Sequence, residues 1–485
     1  MKKKHVVISA AAIITRFIFF WEAPLWYDEN FTYLITQLPF SKMIDVIVAD
    51  VHPPLFYIIT KLSLKLFPFA WATRIPSVFF SIWAFFLYVK ILRNHSIHPL
   101  VQDAAIFLMA LLPFQISFAQ EARMYAMFEV FMLFAVLMIS EKKWRKLSLA
   151  LALLLYTHNI ALFYMPFIFF IGLIKYPTWK DFRNSSLAFL IAFITWLPWL
   201  TVILTQAQNI HNNYWIKLPS MMSFLYMLHG IFWGGSLPFE LNIIVFFVLT
   251  IFVLSTGIFY LIRYRPQNWE ATLLFAFGPA ILLILASYLW QPILLYRQLI
   301  GSAPFLYLTL VSPLEKINDY KNEPKANLLL NTGKIVSVLL ITISLWGYYT
   351  NATPAKRDDS GKPYMNAILP SIMEQWTEND VFYHILDASL VNTLPYTMDA
   401  THYILPECEI KDTFDLSERI HTILGVDTPL LSEISHNRIW LIAPMTLNQK
   451  TCHSKELDPV FSKKPFALID NTPSAVYGIW IIEPQ

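Results

Sequence analysis

Between two strongly apolar runs, residues 6–23 and 71–91, the chain reads Trp26-Tyr27-Asp28-Glu29-Asn30 and then Asp50-Val51-His52-Pro53-Pro54-Leu55-Phe56-Tyr57. The stretch that holds both motifs, Glu22 to Trp71, is too apolar for a solvated loop and too often interrupted to span a bilayer. It is therefore expected to lie along a membrane surface. Within it, Lys42 to Ala49 reads as a short amphipathic helix capped by Ser41. Pro53-Pro54 opens a second, in which Lys61 and Lys65 share a face and can reach the headgroups. Long outer loops of this kind usually have a function.

Composition places this loop in a membrane protein. Of 485 residues, 56% are hydrophobic and 14% charged, with a mean hydropathy of +0.50. Soluble domains are nearer 45–50% apolar and about 25% charged. A soluble enzyme, a disordered chain and a nucleic-acid binder are thereby excluded, and a net charge of +3 is too small to imply a polyanionic partner. Neither Cys408 nor Cys452 belongs to a C-x-x-C pair, which leaves no zinc-ribbon or iron–sulfur motif.

About eleven runs have the length and apolarity of spans. They fall at 6–23, 71–91, 101–119, 124–140, 147–158, 159–175, 186–205, 240–262, 270–289, 297–312 and 335–349. Met1-Lys2-Lys3-Lys4 could begin a signal peptide, but no convincing small-residue cleavage site follows, so the first run reads as a retained span. With a cytoplasmic N-terminus, the Lys and Arg of residues 2–4, 90–93, 142–146, 175–183, 263–265 and 316–334 all face inward. The expected location is thus a multi-pass inner or plasma membrane. A membrane region, 1–349, would be followed by an extracytoplasmic α/β domain, 350–485. In that tail 363–376 has helical spacing, while 380–385, 438–443 and 478–482 read as buried strands. Cys408 and Cys452 could form a disulfide there or remain two thiols. The sequon at Asn351 carries little information.

Acids, histidines and arginines from four segments converge on the outer face. Besides Asp28, Glu29, Asp50 and His52, these are Gln120-Glu121-Ala122-Arg123-Met124-Tyr125 between the third and fourth spans, Tyr156-Thr157-His158-Asn159, and Tyr296-Arg297-Gln298. Each has a plainer reading. Asp28 or Glu29 would cap the helix that follows, and His52, Tyr156 and His158 would be interfacial anchors. Asn209 to Trp215 would either help to close a site or form an interfacial belt. Adjacent carboxylates at a membrane boundary are costly unless they ligate a cation or act on a substrate.

The order of a first span, an outer Asp-Glu pair, an amphipathic loop ending in His-Pro-Pro-Leu-Phe-Tyr, and Thr73-Arg74-Ile75-Pro76-Ser77 entering the next span resembles the GT-C glycosyltransferases. It is most similar to the prokaryotic relatives of protein O-mannosyltransferases and of lipid A aminoarabinose transferases, the glycosyltransferase family 39-like group. Ala119 to Tyr125 is similar to the segment where those relatives carry an acid. Lys356-Arg357-Asp358-Asp359 and Asp380-Val381-Phe382 resemble their outer domain. Two features depart from the pattern: His52 stands where the lipid A enzymes tend to have lysine, and the tail lacks the Trp-Trp-Asp of oligosaccharyltransferases.

The resemblance implies inverting transfer of one sugar from a polyprenyl-phosphate donor to a glycan, lipid or protein hydroxyl, with the bilayer as setting. Asp28 is the expected base, with Glu29 and Glu121 as further catalytic acids. Arg74, Arg123, Arg297 and Tyr125 are expected to bind the donor phosphate. His52, His158, Asp50 and Gln120 are candidates for substrate or metal contact, and Glu29, His52, Glu121 and His158 form a possible set for zinc, manganese or magnesium. The rival readings are a membrane transporter or lipid flippase, which calls for charges buried mid-span and paired broken helices, and a non-catalytic envelope scaffold.

Overall fold

The computed structural model describes residues 3–22, 25–95, 97–176, 178–213, 216, 218–233, 251, 254–319, 338, 341–349, 372, 374–377, 379–384, 401–404, 438–444, 467–469 and 477–482. Its larger part is helical. The chain opens with α1 (Lys3–Phe17) and the loop helices α2 (Tyr27–Gln37), α3 (Phe40–Ala49) and α4 (Leu55–Leu66). A 3-10 turn, Ala70–Arg74, leads into α5 (Ile75–Asn94), followed by α6 (Pro99–Leu111), α7 (Pro113–Ala119), α8 (Tyr125–Ser140), α9 (Trp144–Thr157), α10 (Ala161–Lys175), α11 (Trp179–Asn213) and α12 (Met221–Trp233). Then come α13 (254–264), α14 (Trp269–Leu289), α15 (Ala303–Val311), α16 (Leu314–Asp319) and α17 (341–349). Helix α8 is apolar around nearly its whole circumference and buried among α5, α7 and α9, as a central helix must be.

Among the described residues three helices are long and apolar enough to cross a membrane: Ala70–Asn94, Trp179–Ala207 and Trp269–Leu289. The pair α6 and α7 makes a fourth if taken as one span bent by 47°. The expected count of about eleven exceeds this because α1, α8, α9, α10 and α15 are shorter than a full span and parts of the runs at 240–262 and 335–349 lie outside the described residues. The run at 101–119 breaks where Pro113 removes a backbone donor and disfavours helix at Leu112. The carbonyl of Met109, whose helical partner would be the missing N–H of Pro113, accepts instead from Arg16 Nη2 at 3.0 Å. Arg16 Nη1 serves Ala110 at 2.9 Å, and its Nε reaches Ser81 at 2.8 Å. A charge deep in α1 thus closes the end of a helix whose own geometry leaves carbonyls open.

Other expectations are adjusted in detail. Ser41 does not cap α3: the helix begins at Phe40, two residues earlier than expected, behind Pro39 and with no side-chain cap. Lys61 does not reach for headgroups but donates to the carbonyls of Thr36 and Leu38 at 2.8 and 2.6 Å, closing the C-terminus of α2, while Lys65 is exposed. The span expected from 297 starts as a 3-10 turn, Tyr296–Leu299, and becomes α15 only at Ala303. Gly278 permits close approach of α14 to α10, because a Cβ there would lie 2.4 Å from the Phe167 ring.

In the tail, β1 (Val381–His384), β2 (Thr401–Ile404), β3 (Ile439–Pro444), β4 (Ala467–Ile469) and β5 (Tyr477–Ile482) form one mixed sheet in the order β2-β1-β3-β5-β4. The β1 pairings with β2 and β3 are parallel, and β5 runs antiparallel to β3 and β4. The register sets Phe382 beside His402 on one side and Trp440 on the other, and the three rings stack. Three strands expected at 380–385, 438–443 and 478–482 correspond to β1, β3 and β5. Cys408, Cys452, Asn351 and the segment 356–359 lie outside the described residues, as does most of the helix expected at 363–376.

Candidate active site

Helix α2 carries Asp28 and Glu29 in its first turn, where exposed N–H groups favour acids. Successive helical residues point about 100° apart, so the two carboxylates face different surroundings. Glu29 turns inward. Its Oε1 accepts from Arg74 Nε at 2.7 Å and from the Ala122 N–H at 2.8 Å. Its Oε2 accepts from Arg74 Nη2 at 2.6 Å and from the Trp26 N–H at 3.3 Å. Both side chains are 0% exposed, and Arg74 also donates to the Phe20 carbonyl. This forked pair joins α2 to the start of α5 and to the turn after α7. The geometry therefore gives Glu29 and Arg74 a structural position in place of the catalytic and phosphate-binding ones expected of them.

Asp28 turns toward the cleft, with its side chain 19% exposed. Its Oδ2 lies 3.3 Å from Arg297 Nη1 and 3.9 Å from Arg123 Nε. Arg297 reaches it from the 3-10 turn before α15 and also sits over the Tyr125 ring. Arg123 comes from the turn between α7 and α8. Its Nη2 lies 3.3 Å from His52 Nε2, and the other ring nitrogen, Nδ1, lies 3.1 Å from Asp50 Oδ2. His52 packs edge-on against His158, which in turn abuts Tyr125. Asp28, Asp50, His52, Arg123, Tyr125, His158 and Arg297, expected from separate segments, are thus brought together. Glu121 is buried beside them, close enough for its charge to act on Arg297 and Tyr125.

Burial by itself would raise the Asp50 pKa, but His52 and Arg123 outweigh it and hold the carboxyl below its usual value. His52 is pushed down, first by burial and then by Arg123, against the opposing pull of Asp50. Burial also disfavours the Arg123 cation, yet the groups around it, Tyr57, Asp28, Tyr125 and Asp50, raise its pKa. The cleft is therefore built to keep two arginines charged and His52 neutral near pH 7.

Some residues take other places. Gln120 is tied to α1: its Nε2 lies within hydrogen-bond distance of the Thr15, Arg16 and Ile18 carbonyls at the end of that helix, at 3.1, 3.3 and 2.8 Å, and its Oε1 accepts from Tyr348 at 2.8 Å. Tyr156 donates to the Thr195 carbonyl on α11. Residues 209–213 continue α11, whereas Tyr214 and Trp215 lie outside the described residues.

Three further residues support the site: Tyr57 and Asn159 stand in motifs read from the sequence without a role of their own, and Gln206 was not named there. Tyr57, buried on α4, donates to Asp50 Oδ2 at 3.1 Å. Asn159 Nδ2 donates to the Val51 carbonyl, and Gln206 Nε2 donates to the Ile47 carbonyl. Gln206 has one usable signal, a polar amide buried in the apolar helix α11. The four side chains considered for a divalent ion do not fit one. Glu29 is committed to Arg74 and two amides, and among the described residues no group of three His, Cys, Asp or Glu could hold a metal.

No protein-family model matches the chain, and no curated protein matches it in sequence. Among solved structures, ArnT from Cupriavidus metallidurans in the apo state matches with a TM-score of 0.60 at 12% identity, over 98% of this chain and 97% of that one. The same protein bound to undecaprenyl phosphate matches at 0.59, with the same identity and coverage. The chain therefore shares the fold of ArnT, a GT-C glycosyltransferase, along nearly its whole length.

Proposed function

We propose that this chain is an integral membrane glycosyltransferase that moves one sugar, with inversion, from a polyprenyl-phosphate donor to an extracytoplasmic hydroxyl. The observation that carries the reading is a partly exposed carboxylate, Asp28, set against two buried-side arginines, Arg123 and Arg297, on a membrane fold. Attack by the acceptor oxygen on the anomeric carbon forms the new C–O bond and breaks the bond to the donor phosphate. The acceptor proton passes to Asp28, and polyprenyl monophosphate leaves with an added negative charge. Arg123 and Arg297 face that charge, so the leaving group needs no proton. As phosphate draws the arginines to itself, Asp28 loses counter-charge and becomes the stronger base. Catalysis in this reading uses the arginines where other enzymes use a metal ion, and no step passes through a divalent cation.

Support for the donor class comes from the fold shared with a protein captured with undecaprenyl phosphate. In the proposed topology the N-terminus is cytoplasmic, and residues 350–485 form an outer α/β domain. The test is transfer from a panel of labelled polyprenyl-phosphate monosaccharides by the purified protein in lipid, with Asp28→Asn alongside. Turnover of one donor that disappears in the variant is the expected result. Absence of turnover with every donor would sink the reading and favour a transporter or scaffold.

A further inference from the structure

The contacts of Asp50 form a directed chain. An ionised carboxylate only accepts hydrogen bonds, so its 3.1 Å contact with His52 requires the proton on Nδ1. A guanidinium only donates, so the 3.3 Å contact of Arg123 requires a bare lone pair on His52 Nε2. One neutral tautomer of His52 meets both conditions. Tyr57 adds a second donor to the same Asp50 oxygen. Asn159 and Gln206 fix the backbone on either side, through the carbonyls of Val51 and Ile47. All three members of the chain are largely buried, and none is shared with the Glu29–Arg74 pair.

We infer that Asp50 is a positioning residue that locks His52 in its Nδ1-protonated tautomer, so that Nε2 holds Arg123 in the orientation that receives a polyprenyl phosphate. The inference rests on the donor reading above but is tested apart from transfer. Asp28 pulls on the guanidinium without fixing its plane, because it meets Nε at 3.9 Å. The His52 contact supplies the second point that sets the plane.

The experiment is a double-mutant cycle read on the Kd of polyprenyl monophosphate for the protein in lipid nanodiscs. A glutamine amide reaches about as far as Nε2, and an asparagine amide about as far as Nδ1. His52→Gln should therefore retain much of the affinity, and His52→Asn should lose about tenfold, the cost of a hydrogen bond to a charged group. Asp50→Asn should also weaken binding about tenfold, yet add little in the His52→Gln background, where no tautomer remains to be set. Melting temperatures of the four variants serve as control. Equal losses for His52→Gln and His52→Asn, additive losses in the double variant, or no measurable binding by the unaltered chain would each overturn the inference. If the cycle behaves as stated while sugar transfer fails, the relay stands and the transferase reading falls. If transfer proceeds while the cycle is additive, the reverse holds.

Discussion

Asp28 and Glu29 are neighbours in sequence with opposite surroundings. Glu29 sits in a dry pocket with four donors on its two oxygens, whereas Asp28 stands at the cleft with two longer arginine contacts and part of its surface open. A buried ion pair is expensive to disturb because removing one member strands the other. A half-open pair can exchange its partner for a ligand. A single residue step along one helix thus separates a group that holds the site together from a group that can work in it.

The largest effect is expected from Glu29→Ala. It leaves Arg74 buried and uncompensated and should cost about 3–5 kcal/mol of stability, seen as a large fall in melting temperature or failure to accumulate folded protein. Survival of a normally stable, active variant would break the distinction. The counterpart is Asp28→Asn, for which turnover should fall by roughly 10²–10⁴ while melting is nearly unchanged. A comparable loss of stability in both variants would show that the two acids share one role. Arg297→Lys sharpens the contrast on the open side. It keeps the charge but loses the planar fork, and should raise the donor KM about tenfold.

The smallest effect concerns a third carboxylate, Asp380, intermediate between the two. Burial by itself would raise its pKa, but hydrogen bonds from Arg438, Trp440 and Thr377 prevail and hold it below the usual value. A lowered folded value means the contribution is fully present above the unfolded carboxylate pKa and fades as pH falls through the folded one. Because Arg438 is partly exposed, the contribution is modest. Acid titration of the tryptophan fluorescence should show a small loss below the ordinary carboxylate range that Asp380→Asn abolishes. An identical titration in the variant would assign the change elsewhere.

Much of the fold and the site can be read along the chain. The span expected at 270–289 matches α14 within a residue, because an uninterrupted apolar run of that length has one stable solution in lipid. Convergence on one membrane face was enough to gather Asp28, His52, Arg123, His158 and Arg297. The division of labour between Asp28 and Glu29 was not legible, since it depends on Arg74 arriving from another helix. Nor was the position of Gln120, whose partners are backbone carbonyls that carry no residue identity. Tyr57 stood within the quoted His-Pro-Pro motif, but only the first turn of α4 folds its hydroxyl back over Asp50.

The bond between Gln120 and Tyr348 joins residues 228 positions apart. A ribosome delivers the chain from its N-terminus, so α1 and Gln120 leave the exit tunnel long before Tyr348 is made. During that interval the Gln120 amide can serve α1 but has no Tyr348 hydroxyl to receive, and Thr15 lacks the Tyr349 hydroxyl that also reaches its carbonyl in the finished fold. The C-terminal end of α1 and the glutamine that holds it thus gain their last hydrogen bonds only when α17 arrives, which ties the completion of the earliest segment to the latest.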